Sequence, residues 1–420
     1  MKEEGMQEGY TEIRERIRQE LLEEMDFSRE ISDGEIRDAI AAKLQSRQLM
    51  GKLDIYERSG MGKELFSAMR GLDVLQELID DPEVTEIMIN GMEGIFIEQK
   101  GRIQAWPCGF VSREKLQDVI QQIVAGCNRT VNETSPIVDA RLANGSRVNV
   151  VLDPVALNGP IVTIRRFPEE PIGMRELLAA GSVTEEACLF LEKLVKARYN
   201  IFISGGTGSG KTTFLNALAR YIPADERLIT IEDSAELQIR GIPNLVRMET
   251  RSRNVEGCAP ITIRDLIRTS LRMRPDRIIV GEVRGGEAVD LVGSALNCGH
   301  DGSMSTGHAN SARDMLTRLE TMMLMGMEIP LSAIRRQIAS GVDIIVHLGR
   351  LRDKSRKVLQ IAEVEGIRDG EIRLSVLFEF EEEEGEGEGV RGRLVRKGEL
   401  HHGDKLKLAG LAPDGAAPEA

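Results

Sequence analysis

The stretch Gly205-Gly206-Thr207-Gly208-Ser209-Gly210-Lys211-Thr212 matches the phosphate-binding loop pattern G-x-x-x-x-G-K-[ST]. Before it, residues 200–204 (NIFIS) form a short apolar run that predicts a buried strand, and after it residues 213–219 (TFLNALA) predict a helix. A nucleoside triphosphate requires this order, because backbone N–H groups and the helix N-terminus then face the phosphates. A chance glycine-rich turn is the alternative, and it would not account for both flanks.

The loop also supplies side chains for nucleotide chemistry. Lys211 is expected to reach the β- and γ-phosphates, and the hydroxyl of Thr212 to bind Mg²⁺. The predicted cofactors are therefore ATP and Mg²⁺. The residues expected to contact the nucleotide are Gly205, Gly206, Thr207, Gly208, Ser209, Gly210, Lys211, Thr212 and Thr213.

The composition of the 420-residue chain limits the class of protein. Hydrophobic residues make up 41% and charged residues 29%, as expected of a globular protein with two or three domains. The net charge of −13, part of it in an acidic run at residues 379–388, argues against polyanion binding as the main purpose. No apolar stretch approaches the ~20 residues of a membrane span, and the N-terminus lacks the pattern of a signal peptide. The five cysteines are scattered, which suggests reduced residues rather than a metal site.

Hydrophobic periodicity and composition divide the chain into five segments. Apolar residues at every fourth position predict helices in the first segment, and short alternating runs predict an α+β domain in the second. A proline pair marks a linker, strands alternating with helices predict an α/β domain with a mostly parallel sheet, and a glycine- and glutamate-rich composition predicts a mobile tail. The segments are a helical extension at 1–62, an α+β domain at 63–167, a linker at 168–183, an ATPase domain at 184–380 and a tail at 381–420.

Within the predicted α/β domain, strands are expected before and after the phosphate loop. Those alternating with helices lie at 201–204, 228–232, 245–249 and 277–281, and those forming an antiparallel ribbon at 343–348, 358–365 and 371–380.

Two predicted strands end in carboxylates. Residues 277–282 (RIIVGE) end at Glu282, and residues 228–233 (LITIED) end at Glu232 and Asp233. An NTPase needs a carboxylate at the carboxyl end of a strand to hold Mg²⁺ or to deprotonate the attacking water. Glu282 can also be an exposed residue at a helix start, and Asp233 can simply cap the next helix, so we favour Glu232 as the functional member of its pair and as a second Mg²⁺ ligand, through water or directly.

Two histidines lie in the small, polar stretch 299–310 (GHDGSMSTGHAN), which we interpret as a loop. His300 and His308 lack the spacing and partners of a zinc site. They can be ordinary polar groups, or they can lie beside the γ-phosphate and polarise water.

Three arginines of the predicted α+β domain, Arg147, Arg165 and Arg166, are candidates for the catalytic site. Most arginines lie on the surface for solubility. Charge that develops on a transferred phosphoryl group, however, favours an arginine brought across an interface.

Together these segments resemble the secretion and pilus ATPase superfamily, the traffic ATPases of type II and type IV secretion, from about Leu72 to about Phe380. Residues 81–91 resemble the opening of the family's N-terminal domain, 230–237 its "Asp box", 274–284 its atypical Walker B motif and 302–310 its "His box". Residues 145–149 (GSRVN), 163–167 (TIRRF) and 249–251 (ETR) resemble the CpaF-like branch, which drives assembly of tight-adherence (Flp-type) pili.

The resemblance implies a RecA-like P-loop ATPase domain behind a PAS-like α+β domain, assembled as a homo-hexamer with ATP between subunits. Glu232 and Glu282 would serve the metal and the attacking water, His300 and His308 would line the γ-phosphate, and Arg147 with Arg165 or Arg166 would reach the nucleotide. It implies a cytoplasmic location at the inner face of the membrane and an inner-membrane platform protein as partner. We expect no direct nucleic-acid binding, because the chain is acidic and has only one Trp and four Tyr. A DNA-transfer ATPase of a type IV secretion-like system is the alternative, which the acidic charge disfavours.

Overall fold

The computed structural model describes residues 10–411 of the chain in two compact units, Met1–Pro168 and Glu169–Ala420, named here the N-terminal and C-terminal units. The ranges outside the description are 1–9, 11–12, 15, 19, 22–23, 25–32, 46–53, 71, 100, 128, 143, 167–170, 252–258, 384–388 and 412–420. Parts of the predicted helical extension, of the linker and of the tail therefore lie outside the described residues.

The N-terminal unit begins with helices, as the periodicity predicts. The described residues among 10–24 are helical, followed by α1 (Asp33–Leu44) and α2 (Ile55–Arg70), which runs past the expected boundary at 62. Asp54 accepts the N–H groups of Tyr56 and Glu57, both at 2.7 Å, and so caps the start of α2. The apolar side chains of these helices form a small core of their own.

A six-stranded antiparallel sheet forms the rest of the N-terminal unit, in the order β3-β2-β1-β6-β5-β4. Its core-facing side packs against two helices. At the two ends of this sheet, β3 is exposed except at the half-buried Trp106, and β4 buries only alternate residues. The elements are α3 (Val74–Asp80), β1 (Val84–Asn90), β2 (Ile95–Gln99), β3 (Arg102–Trp106), α4 (Arg113–Gly126), β4 (Ile137–Arg141), β5 (Arg147–Val151) and β6 (Ile161–Arg165).

The C-terminal unit contains a nine-stranded sheet in the order β15-β14-β13-β12-β7-β11-β10-β8-β9. The six strands from β12 to β9 are parallel and the remainder antiparallel. Its strands are β7 (Ile201–Gly205), β8 (Leu228–Glu232), β9 (Leu245–Glu249), β10 (Arg277–Val280), β11 (Met304–His308), β12 (Ile344–Arg350), β13 (Arg356–Arg368), β14 (Glu371–Glu382) and β15 (Gly392–Arg396).

Helices cover both faces of this sheet and give two apolar cores. Because both faces are covered, every residue of β7, β8 and β10 is buried, which explains their continuous apolar sequences. The α/β fold class is thereby confirmed. The helices are α5 (Met174–Ala179), α6 (Glu185–Lys196), α7 (Lys211–Ala219), α8 (Ile263–Ser270), α9 (Ala288–Asp290) continued by a π-helix (Leu291–Leu296), α10 (Ala312–Gly326), α11 (Leu331–Gly341) and α12 (Asp404–Leu408). Among the helices that the structure describes, none is both long and apolar enough to cross a membrane.

Two sequence interpretations need correction. The stretch 299–310 is not a loop throughout, because β11 lies between β7 and β10 with Ser305 and Thr306 each 1% exposed. The expected mobile tail is also structured in part. β15 pairs with β14, and in the segment before α12 the main-chain N–H groups of His401 and His402 both bond the buried Glu363 carboxylate at 2.8 Å.

Candidate nucleotide site

The phosphate loop joins β7 to α7, as the sequence predicts. Three of its glycines are required by the backbone, since φ is 156° at Gly205, 70° at Gly208 and 93° at Gly210. A Cβ on Gly205 would also lie 2.4 Å from the carbonyl oxygen of Leu348, so the strand end admits no side chain there. The crown of the loop, Gly206 to Gly208, is exposed, and Thr212 and Thr213 are half-buried in the first turn of α7. The loop therefore presents its N–H groups and a hydroxyl at a helix N-terminus.

Lys211 is 8% exposed and lies across the loop. Its Nζ donates to the carbonyl oxygen of Gly206 at 2.9 Å and lies 3.4 Å from Nδ1 of His308. Burial lowers the pKa of the Lys211 ammonium, while the nearby Glu282 carboxylate opposes that shift. A buried ammonium with one neutral acceptor and one imidazole neighbour is poised to exchange those contacts for phosphate oxygens.

His308 connects the loop to the carboxylate that follows β10. The residue pairs with Gly205 in the β11–β7 register, and its Nε2 lies 2.8 Å from Oε1 of Glu282. Burial, and next the charge of Lys211, lower the pKa of His308. A neutral imidazole therefore stands between a cation and an anion, where it can take part in moving or holding a proton.

One carboxylate oxygen of Glu282 accepts a hydrogen bond, and the other is buried without one among the described residues. Oε2 accepts a hydrogen bond from Arg284 Nη2 at 2.6 Å. Oε1 accepts no hydrogen bond among the described residues, because the close His308 contact lacks hydrogen-bond alignment. A carboxylate fixed through one oxygen, whose other oxygen keeps unused acceptor capacity beside His308, can serve as a general base for a water bound with the substrate.

Gly281, in place of the usual strand-end aspartate, is explained by the neighbouring strand. A Cβ on Gly281 would lie 3.0 Å from Cγ of Glu232, which ends β8 beside β10. Glu232 thus occupies the space that a side chain on β10 would need. The site takes its second carboxylate from β8.

Glu232 is 3% exposed, and its Oε2 accepts the main-chain N–H groups of Glu236 at 2.6 Å and Leu237 at 2.7 Å. Its Oε1 is buried without a hydrogen-bond partner in the part of the chain that the structure describes. Burial raises the pKa of Glu232 to about 7. An orphaned carboxylate oxygen at the carboxyl end of the parallel strands fits Mg²⁺, which prefers hard oxygen ligands and retains water. The adjacent Asp233 instead bonds Thr250 at 2.8 Å.

His300 does not belong to this site. Its Nδ1 lies 3.0 Å from the carbonyl oxygen of Pro275, which precedes β10, and His300 itself precedes β11. It therefore lies at the amino end of the sheet, whereas His308 ends β11 at the carboxyl end. The two ends of a five-residue strand are roughly 15 Å apart, so the expectation that His300 lines the γ-phosphate is wrong.

The three candidate arginines lie in the N-terminal unit and differ in their surroundings. Arg147 and Arg165 are directly opposite each other on β5 and β6, on the sheet face that lacks the core. Arg147 lies 3.9 Å from Asp139. Arg165 is directly opposite Glu86, which lies on the neighbouring strand β1. The Arg166 guanidinium instead bonds the carbonyl oxygens of Asp81 and Val84. Arg166 therefore holds the sheet to the segment before β1, whereas Arg147 and Arg165 lie on the sheet face away from the core.

Arg284 has a place in the site that sequence reasoning did not assign. It follows Glu282 by two residues, and its side chain fixes the Glu282 carboxylate. The sequence shows that Arg284 lies two residues after Glu282. It does not show that the Arg284 side chain points back to the Glu282 carboxylate, because this depends on how the chain turns after β10.

The chain matches the family described as type II/IV secretion system protein over residues 68–393. It is 34% identical over 301 residues to the conjugal transfer protein TrbB of Rhizobium radiobacter, which covers 71% of this chain and 88% of that protein. It is 32% identical over 311 residues to the type IV secretion system protein VirB11 of Brucella suis, covering 66% and 84%. Its fold is like that of the pilus retraction motor PilT with bound ADP, at TM-score 0.52 and 18% identity over 81% of this chain and 86% of that one.

Proposed function

This chain belongs to the type II/IV secretion system protein family, and from that premise we propose that it is a Mg²⁺-dependent ATPase whose hydrolysis powers pilus assembly or protein secretion. The observation that carries the proposal is the convergence of Lys211, His308, Glu282 and Glu232 at the carboxyl ends of neighbouring parallel strands, around one phosphate loop. Ligands of open α/β sheets bind at this edge.

The proposed roles follow from the contacts. The loop N–H groups and Lys211 bind the β- and γ-phosphates. Glu282 accepts a proton from the attacking water through Oε1, whose acceptor capacity is unused, Arg284 fixes the carboxylate, and His308 polarises the same region. Thr212 and Glu232 would hold Mg²⁺, Glu232 through water or directly, and the metal would neutralise charge on the phosphate oxygens.

We place the enzyme in the CpaF-like branch, as a homo-hexamer at the cytoplasmic face of the inner membrane, acting on a membrane platform protein. The segments 145–149 and 163–167, which support this branch, include Arg147 and Arg165, which are directly opposite each other on the N-terminal sheet. In such a ring, Arg147 and Arg165 would act on nucleotide bound by a neighbouring subunit, because an arginine stabilises charge that develops during phosphoryl transfer.

The second candidate function is a DNA-transfer ATPase. It is favoured by the likeness to TrbB, whose name refers to conjugal transfer. A DNA-translocating motor should hydrolyse ATP faster with single-stranded DNA, and its affinity for DNA should fall steeply with salt. The platform-driving motor should be indifferent to DNA.

The test compares the parent with Lys211→Ala. An ATP analogue with Mg²⁺ should raise the Tm of the parent, since saturation at 100 times Kd stabilises a protein by about 2.7 kcal/mol. The variant should show no such rise, and no ATPase activity, because it lacks the buried ammonium. Equal rises in both proteins would contradict the phosphate-loop assignment, and stimulation of the parent by single-stranded DNA would favour the second candidate.

A further inference from the structure

We propose that Arg350 and Arg356, on the β12–β13 hairpin, form a second cationic contact for the phosphates of the nucleotide. The inference rests on the proposed function, and it adds two nucleotide-binding residues on the side of the phosphate loop opposite to His308. β7 lies between β11 and β12 in the sheet, so the two neighbours of the loop strand would each supply part of the site.

Register places Arg350 beside the loop. Leu348 of β12 pairs with Gly205, and Arg350 lies two residues further along the strand, beyond the carboxyl end of β7. Its Nη1 lies 3.9 Å from the position that a Cβ on Gly208 would take. Cδ of Arg356 lies 3.6 Å from the equivalent position on Gly210. Both side chains therefore reach the turn whose N–H groups face the phosphates.

The two arginines are unpaired cations placed against each other. Arg350 and Arg356 are directly opposite in the antiparallel β12–β13 register, where like charges are destabilising. In the portion of the chain covered by the structure, neither guanidinium makes a hydrogen bond or an ion pair. A pair of facing arginines without a carboxylate is explained by an anion that binds between or beside them.

The acidic groups nearby are committed elsewhere. Glu382 pairs with Arg352 at 2.5 Å. Asp353 accepts Ser355 Oγ at 2.6 Å and the main-chain N–H of Val390 at 3.0 Å, and these bonds hold its pKa down to about 2. The Asp353 contacts fix the turn of the hairpin, so the backbone that carries both arginines is in place before any ligand arrives.

The experiment measures equilibrium binding of a non-hydrolysable ATP analogue and of ADP, with Mg²⁺, by calorimetry on the full chain. Arg350→Ala/Arg356→Ala should weaken both by about 10-fold or more, as expected for lost charge-assisted hydrogen bonds. Arg350→Lys/Arg356→Lys should recover part of the loss. Arg352→Ala is the matched control, because Arg352 lies on the same hairpin but pairs with Glu382, and it should bind like the parent.

A second readout separates binding from a structural role. Without nucleotide, the double alanine variant should melt at or above the Tm of the parent, because it relieves the repulsion between the two cations. A lower Tm would mean that the arginines serve the fold and would overturn the proposal. Unchanged affinity in the double variant would overturn the proposal alone, whereas a parent that binds no nucleotide would overturn the proposed function with it.

Discussion

The two units of the chain hold their charged residues in opposite ways. In the C-terminal unit, Lys211 and Glu232 are buried at the carboxyl ends of strands, and their pKa values move because of that burial. In the N-terminal unit, Arg147 and Arg165 lie on the side of an antiparallel sheet that faces away from its core. Buried charges are costly unless they are paired or used. The C-terminal unit therefore has the features of a reaction site, and the N-terminal unit those of a surface that acts on something presented to it.

The largest change in ATPase rate that would test this difference between the two units is expected from Arg165→Ala. The variant should still bind ATP but turn it over about 10³-fold more slowly, since an arginine supplied across an interface contributes on that order. Arg102→Ala, on the exposed strand β3 of the same sheet, is the matched control and should retain activity.

A mixing experiment locates that arginine. Arg165→Ala and Lys211→Ala proteins should each be inactive alone, but mixed rings contain sites with an intact loop from one subunit and an intact Arg165 from the next. ATPase activity should return on mixing. If mixed rings form, as verified by their mass, and remain inactive, Arg165 acts within its own chain or serves only the sheet.

A smaller effect, on the free energy of unfolding, is expected from Glu232→Gln, and its size depends on pH. The pKa of Glu232 is raised from 4.5 to about 7, so the folded protein holds this proton more tightly than the unfolded chain does. Ionisation of Glu232 therefore destabilises the folded protein. This destabilisation is absent below pH 4.5, grows between pH 4.5 and about pH 7, and is complete above that range.

Removing the titrating group should therefore raise the free energy of unfolding by about 3 kcal/mol at alkaline pH and leave it unchanged near the lower limit of the window. Urea denaturation across the pH range measures the difference, with Asp233→Asn as the control at the neighbouring exposed carboxylate. If the free energy of unfolding of Glu232→Gln exceeded that of the parent by more at acid pH than at alkaline pH, the assignment of a raised pKa to the buried Glu232 would be contradicted.

Sequence reasoning found the parts of the site that follow continuous apolar runs. β7, β8 and β10 are buried on both faces, and the residues at their ends, Gly205, Glu232 and Glu282, were visible as the first polar residues after them. The same logic failed at β11, whose residues are small and polar although the strand is central.

That failure had a consequence for the histidines. Seen as a loop, the stretch 299–310 brings His300 and His308 together, whereas a strand between them sends them to opposite ends of the sheet. The tail at 381–420 was predicted to be mobile from its composition, which, as at β11, does not show main-chain pairing. β15 is held by main-chain pairing to β14, and the segment before α12 by Glu363, contacts that composition does not record.

The central claim is that Glu282 is the base that activates water at a nucleotide site formed by the C-terminal unit. The direct measurement is single-turnover ATP hydrolysis beside ATP binding for the parent, Glu282→Gln and the control Glu287→Gln. The Glu287 carboxylate accepts the main-chain N–H groups of Arg284 and Gly285, and the glutamine of the control keeps an oxygen that can accept them. We expect Glu282→Gln to bind ATP like the parent and to hydrolyse it ~10²–10⁴-fold more slowly, with Glu287→Gln close to the parent. Hydrolysis by Glu282→Gln at a rate near that of the parent would contradict the account.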